Sequence, residues 1–153
     1  MIKYFSELVI LIILIFISIE DVKTMTVPAS GTLGVFLSGA FLCLSGAETP
    51  AFYFKGWLVL TFTAFITAFL SKGLGGGDVK LFSALGFALG ALEGIKLFVY
   101  SFLLSGFFVL LIKILPGRIV VINRLKQKKE MPFVPFIAAS AFLIFTKNLL
   151  YCL

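Results

Sequence analysis

Asp21 and Asp78 stand out because one closes an apolar run and the other opens one. Acids are otherwise scarce: Glu7, Glu20, Glu48, Glu93 and Glu130 complete the set. An ionisable group at membrane depth is costly, and by default it marks function. Two carboxylates held close resist ionising together and share one proton. The ionised member takes a proton from water, and the protonated member polarises a peptide carbonyl. That is peptide hydrolysis by general acid–base catalysis, with no metal, no cofactor and no covalent intermediate. It needs nothing beyond the two acids, which suits a chain with no histidine. The lack of histidine removes Ser-His and Cys-His pairs and the His-Glu-x-x-His zinc site. Cys43 and Cys152 lie in unrelated segments outside any Cys-x-x-Cys, and read as small apolar fillers.

The residues around the two acids carry a second signal. Gly75, Gly76 and Gly77 precede Asp78. Lacking Cβ atoms, they permit unusual backbone angles and the close approach of a helix or an extended substrate. A plain interhelical turn also favours glycine and aspartate. Glu20 adjoins Asp21, but one helical step of about 100° turns its side chain elsewhere. Lys23 and Lys80 lie near the acids in sequence. A nearby cation stabilises a carboxylate, yet headgroup anchors that snorkel to the interface explain both lysines more simply.

The elements that must position these residues are apolar. Of the 153 residues, 61% are hydrophobic, and the mean hydropathy is +1.16. Ordinary globular domains are about 45–50% apolar, so lipid is the more natural solvent. A span needs roughly 20 apolar residues. The runs fall at residues 8–19, 31–45, 57–70, 81–92, 97–115 and 132–150. Polar or Gly-rich breaks separate them at 20–30, 46–56, 71–78 and 93–96, followed by Pro116, Gly117 and a basic loop. The first run follows Lys3 as a signal peptide would, but no small-x-small cleavage site follows it, so it is kept as a mature helix. The expectation is an all-α, polytopic membrane helix bundle of about six transmembrane helices, with residues 1–153 forming a single membrane-embedded domain.

The formal net charge is +6. With the N-terminus outside, the inner loops hold Lys23, Lys72, Lys80, Lys113, Arg118, Arg124, Lys126, Lys128 and Lys129, against Lys3, Lys55, Lys96 and Lys147 outside. The positive-inside rule favours this orientation. It places Asp21 and Asp78 together at the cytoplasmic membrane face. The basic balance is then a matter of topology and anionic lipid, with the bilayer as partner and no nucleic acid.

Three segments resemble the type IV prepilin peptidases, a family of GxGD aspartic membrane peptidases. Asp21-Val-Lys-Thr-Met-Thr-Val27-Pro28 resembles their first motif. Gly75-Gly76-Gly77-Asp78-Val79-Lys80-Leu81 resembles their GxGD motif with its following lysine and leucine. Met131-Pro132-Phe133-Val134-Pro135-Phe136 resembles the proline-containing entry to their last helix. The resemblance implies an endopeptidase that removes the short basic leader from prepilin-like proteins, cutting before the substrate's apolar N-terminal helix. Asp21 and Asp78 match the catalytic aspartates. Gly75, Gly76, Gly77, Lys80, Pro28 and Pro135 match positions that shape the site or meet the substrate. Longer members carry an additional N-terminal region, often with paired Cys-x-x-Cys motifs, associated with methylation of the new N-terminus. This chain resembles the short, peptidase-only form of tight-adherence (Flp) pilus systems. Two rival readings fit the sequence less well. Presenilin-like and signal-peptide-peptidase-like proteases carry a tyrosine before the first aspartate, where this chain has Ile19 and Glu20. A small transporter would place its acids near the bilayer midplane.

Overall fold

The computed structural model describes residues 2–71, 74–114 and 132–150, and its regular structure there is entirely helical. The elements are α1 (Ile2–Thr24), α2 (Ala29–Leu44), α3 (Pro50–Ser71), α4 (Gly76–Ile114) and α5 (Val134–Leu150).

Helix α4 folds back on itself. Gly90 has φ 80° and ψ 175°, a conformation that side chains larger than hydrogen disfavour. The Phe82 and Phe98 rings lie 4.9 Å apart, whereas a straight helix would separate these residues by roughly 24 Å. The element is therefore two antiparallel arms, residues 76–89 and 91–114, and the described chain makes six helical passes.

Close approach of small residues seats the hairpin. Gly56 of α3 lies directly against the Gly86 carbonyl and the Gly90 backbone, while Phe52 covers Gly90. Gly94, back on the second arm, meets Leu60. On α2, a methyl added at Gly39 would stand 2.8 Å from the Ala88 backbone. Thr61 donates to Ser83 at 2.9 Å across the α3–α4 seam. Such small-residue seams let helices gain van der Waals contact where lipid offers no hydrophobic drive.

The buried centre draws Ile10, Leu14 and Ile17 from α1, Leu81, Phe82 and Leu85 from α4, and Ile137 and Ala141 from α5. Ser101 and Ser140, both wholly buried, are 2.7 Å apart between the second arm of α4 and α5. The exterior is also apolar, with Phe16, Phe69, Leu103 and Phe107 all more than 60% exposed. By length and composition, Pro50–Leu70 and Gly76–Leu111 are apolar enough to cross a membrane.

Several expected boundaries move. The break expected at 93–96 is helical, because the reversal sits at Gly90; Glu93 and Lys96 instead form a 2.8 Å ion pair one turn apart. The loop expected over 46–56 ends early, since Pro50 begins α3. Proline suits a first helical turn, where its missing N–H has no partner to lose. Helix α1 extends past the polar residues to Thr24, and α4 begins at Gly76 within the Gly-rich turn. The stop at Pro116 and Gly117, the basic loop and Cys152 lie outside the described residues. Cys43 is half-buried.

Candidate active site

Asp21 sits in the last turn of α1. The helix stops four residues later, where Met25 takes a left-handed φ of 57° and its N–H closes on the Asp21 carbonyl at 2.8 Å. Pro28, extended at φ −66° and ψ 134°, then starts α2. The Asp21 side chain is 5% exposed, and its Oδ2 accepts the Val134 N–H at 3.1 Å. Val134 opens α5, whose first amides lack helical partners. Pro135 next to it contributes no donor. The aspartate on the first helix therefore completes the start of the last one, where the helix dipole favours a negative charge.

Asp78 uses the same device within its own helix. It is the third residue of α4, and its Oδ2 accepts the Gly75 N–H at 3.2 Å. This is the reach-back of a capping box. Gly77 lies against Val27, where a methyl would come within 2.9 Å of Val27 Cβ. The Gly-rich turn is thereby packed on the chain leaving α1. Gly75 and Gly76 stay exposed, and a methyl at Gly76 would meet nothing within 4 Å.

Phe133 ties the two halves together. Its ring lies 6.1 Å from Phe82, one turn beyond Asp78, and 5.1 Å from Phe102. It immediately precedes the Val134 amide that Asp21 holds. Both acids thus gather at one end of the bundle, through the Gly77–Val27 and Asp21–Val134 contacts. One is buried and the other half-buried, each oriented by a backbone N–H at a helix start. Two such carboxylates are equipped to share a proton and activate water.

The other expected residues divide. Pro28, Gly77 and Pro135 belong to this end of the bundle. Lys80 follows Asp78 by two residues, so it projects from nearly the opposite side of α4. It lines a shallow groove of about 370 Å³ with Thr32, Phe36, Trp57 and Ser83. Glu20 and Lys23 are exposed. Among the described residues, no group of three or more His, Cys, Asp or Glu is placed to hold a metal ion. Sequence reasoning missed Val27, Phe133 and the Val134 amide; the proline-containing motif at 131–136 was the signal nearest to them.

Over its described residues the chain is thus an all-helical, apolar bundle with two acids at one end. The model of the type IV leader peptidase family matches residues 8–114, and the chain belongs to that family. It is 32% identical over 149 residues to a protein of Bacillus subtilis (strain 168) described as a prepilin leader peptidase/N-methyltransferase. The alignment covers 94% of this chain and 56% of that relative, so the chain spans a little over half its length. No solved structure matches significantly.

Proposed function

We propose that this chain is a multi-pass aspartic endopeptidase of a prokaryotic inner membrane that removes the basic leader from prepilin-like proteins. The six helical passes lie in the bilayer with Asp21 and Asp78 on the cytoplasmic side. One aspartate takes a proton from water while the other hydrogen-bonds the scissile carbonyl, and the proton then passes to the leaving amine. The observation that carries this reading is the convergence of Asp21 and Asp78, 57 residues apart in sequence, at one end of the bundle with their carboxylates held by backbone amides. Family membership supports it.

The test is cleavage of a prepilin-like substrate by Asp21→Asn, Asp78→Asn, the double variant and Glu20→Gln at matched expression. Asparagine retains an acceptor oxygen for the amide but cannot exchange the proton. Each single Asn variant is expected to lose at least about 10²–10⁴-fold in rate, the usual worth of general acid–base catalysis. The double variant should be no worse than either single one, because the pair acts as a unit. Glu20→Gln should retain substantial activity. Near-normal cleavage by either Asn variant removes that aspartate from the mechanism.

A further inference from the structure

Charged and apolar residues at the acid end of the bundle lie on different sides. Glu20, Lys23 and Lys80 are exposed. The first two stand on α1, and Lys80 lines the groove with Thr32 and Trp57. The seam between the second arm of α4 and α5 is different, since residues 97–111 and 134–146 contain no acidic or basic side chain. At the acid end this seam carries a row of phenylalanines. Phe102 and Phe108 on α4 alternate with Phe133 and Phe136 at the entry to α5. The ring centroids are 5.1 Å apart for Phe102 and Phe133, 6.4 Å for Phe133 and Phe136, and 5.4 Å for Phe136 and Phe108.

Each ring braces the next within the usual spacing of aromatic pairs, and Phe98 backs Phe102 at 4.7 Å. The row is nevertheless surface. Phe102, Phe133 and Phe136 are half-buried and Phe108 is exposed, whereas Phe82 behind Phe133 is wholly buried. The row also begins beside the chemistry. Phe133 is one residue, roughly 3.8 Å along the chain, from Val134, whose N–H Asp21 holds at 3.1 Å. The two residues that flank a peptide bond are spaced by the same roughly 3.8 Å. A bond brought to Asp21 therefore has its flanking side chains within reach of these rings.

We infer that Phe102, Phe133, Phe136 and Phe108 form the surface that receives the first apolar side chains on the subunit side of the cut. They determine specificity, and they fix the direction in which the substrate lies. The inference deepens the proposed peptidase reading and rests on it for the substrate, which has a basic half and an apolar half. An uncharged aromatic surface gains by covering the apolar half. The same surface would strip water from a leader lysine or arginine and offer it no partner. The substrate therefore lies with its subunit part over the α4–α5 seam and its leader away from that seam. Rings braced across two helices hold this surface in place before the substrate arrives.

The test uses two prepilin-like substrates that differ only in the two residues after the cut, Phe-Leu in one and Ala-Ala in the other. The parent should cleave the first with a kcat/KM at least about tenfold higher, the scale of discrimination that apolar contact supplies. Phe136→Ala should reduce that preference to about twofold, mainly by raising KM for the Phe-Leu substrate, and Phe136→Leu should keep part of it. A variant that is only less well folded loses both substrates alike. An unchanged ratio, or a parent that does not distinguish the two substrates, overturns the inference and leaves the peptidase reading standing. A second measurement needs no cleavage. With p-benzoylphenylalanine in place of Phe136 in an Asp78→Asn background, the protein is irradiated with uncut Phe-Leu substrate and the adduct is mapped by mass spectrometry. Attachment to residues after the cut is expected. Attachment to the leader alone, or to lipid alone, overturns the inference. Attachment after the cut without cleavage by the parent keeps the docking surface and removes the peptidase reading, whereas neither attachment nor cleavage removes both.

Discussion

Asp21 and Asp78 are held alike, each carboxylate accepting a backbone N–H at the start of a helix. For Asp21 that contact is also structural, because it joins α1 to α5. The two roles separate experimentally. Asp21→Ala leaves the buried Val134 N–H without its partner and should cost about 1–3 kcal/mol of stability. Asp21→Asn keeps an acceptor and should cost much less, although both variants are expected to lose cleavage. Thermal unfolding in detergent would compare them, and equal stabilities would mean the hydrogen bond contributes nothing to the fold. Gly77 offers a second test. Gly77→Ala pushes a methyl onto Val27 and should displace the Asp78 turn, lowering cleavage about tenfold, a shift of about 1.4 kcal/mol in the barrier. Val27→Gly removes the Cβ that the methyl would strike and should restore most of the rate in the double variant. Failure of that rescue would show that Gly77 matters for another reason. The acids themselves were legible because an aspartate at the border of an apolar run has few bland explanations. Their partners were not legible, because the Val134 and Gly75 donors are backbone atoms that no residue type announces.

At the scale of elements, six apolar runs were readable and six helical passes exist, but the joints shifted. Charged Glu93 and Lys96 looked like a connection, yet they form a pair on the helix surface. The true joint is Gly90, hidden because Gly86, Gly90 and Gly94 share one four-residue spacing and read as a small-residue helix face. Only the left-handed φ and the packing of Phe52 distinguish the middle one. Gly90→Ala therefore meets two obstacles, backbone strain of about 1–3 kcal/mol and collision with the Phe52 ring. Phe52→Ala should relieve the collision but not the strain, so the double variant remains destabilised. Gly106→Ala, in open space on the second arm, should be neutral or slightly stabilising. Thermal unfolding of the four proteins would check this ordering. A Gly90→Ala protein as stable as the parent would mean that the hairpin does not turn there.

For the whole molecule, the contacts sort residues to two ends. Asp21, Val27, Gly77, Asp78 and Val134 share one end, through the Asp21–Val134 and Gly77–Val27 contacts. Phe52 and Gly90 mark the other, with Lys55 one turn along α3 from Phe52. In the proposed orientation the first end faces the cytoplasm, with Lys23 and Lys80 beside the acids there. Lys23 and Lys55 are both exposed, so they report the sidedness directly. Lys23→Cys and Lys55→Cys, each in a background with Cys43 and Cys152 replaced, would be treated with a membrane-impermeant maleimide in bacterial cells with the outer membrane permeabilised. The residue-55 cysteine should react in intact cells, and the residue-23 cysteine only after the inner membrane is opened. The reverse pattern would invert the bundle and put the acids outside. Reaction of both in intact cells would break the bundle reading itself, because α1 and α3 could not then carry these positions to opposite faces. The expected pattern places the acids on the side where a leader still attached to its subunit remains in the cytoplasm, and there the cut can precede the subunit's departure into the outer assembly.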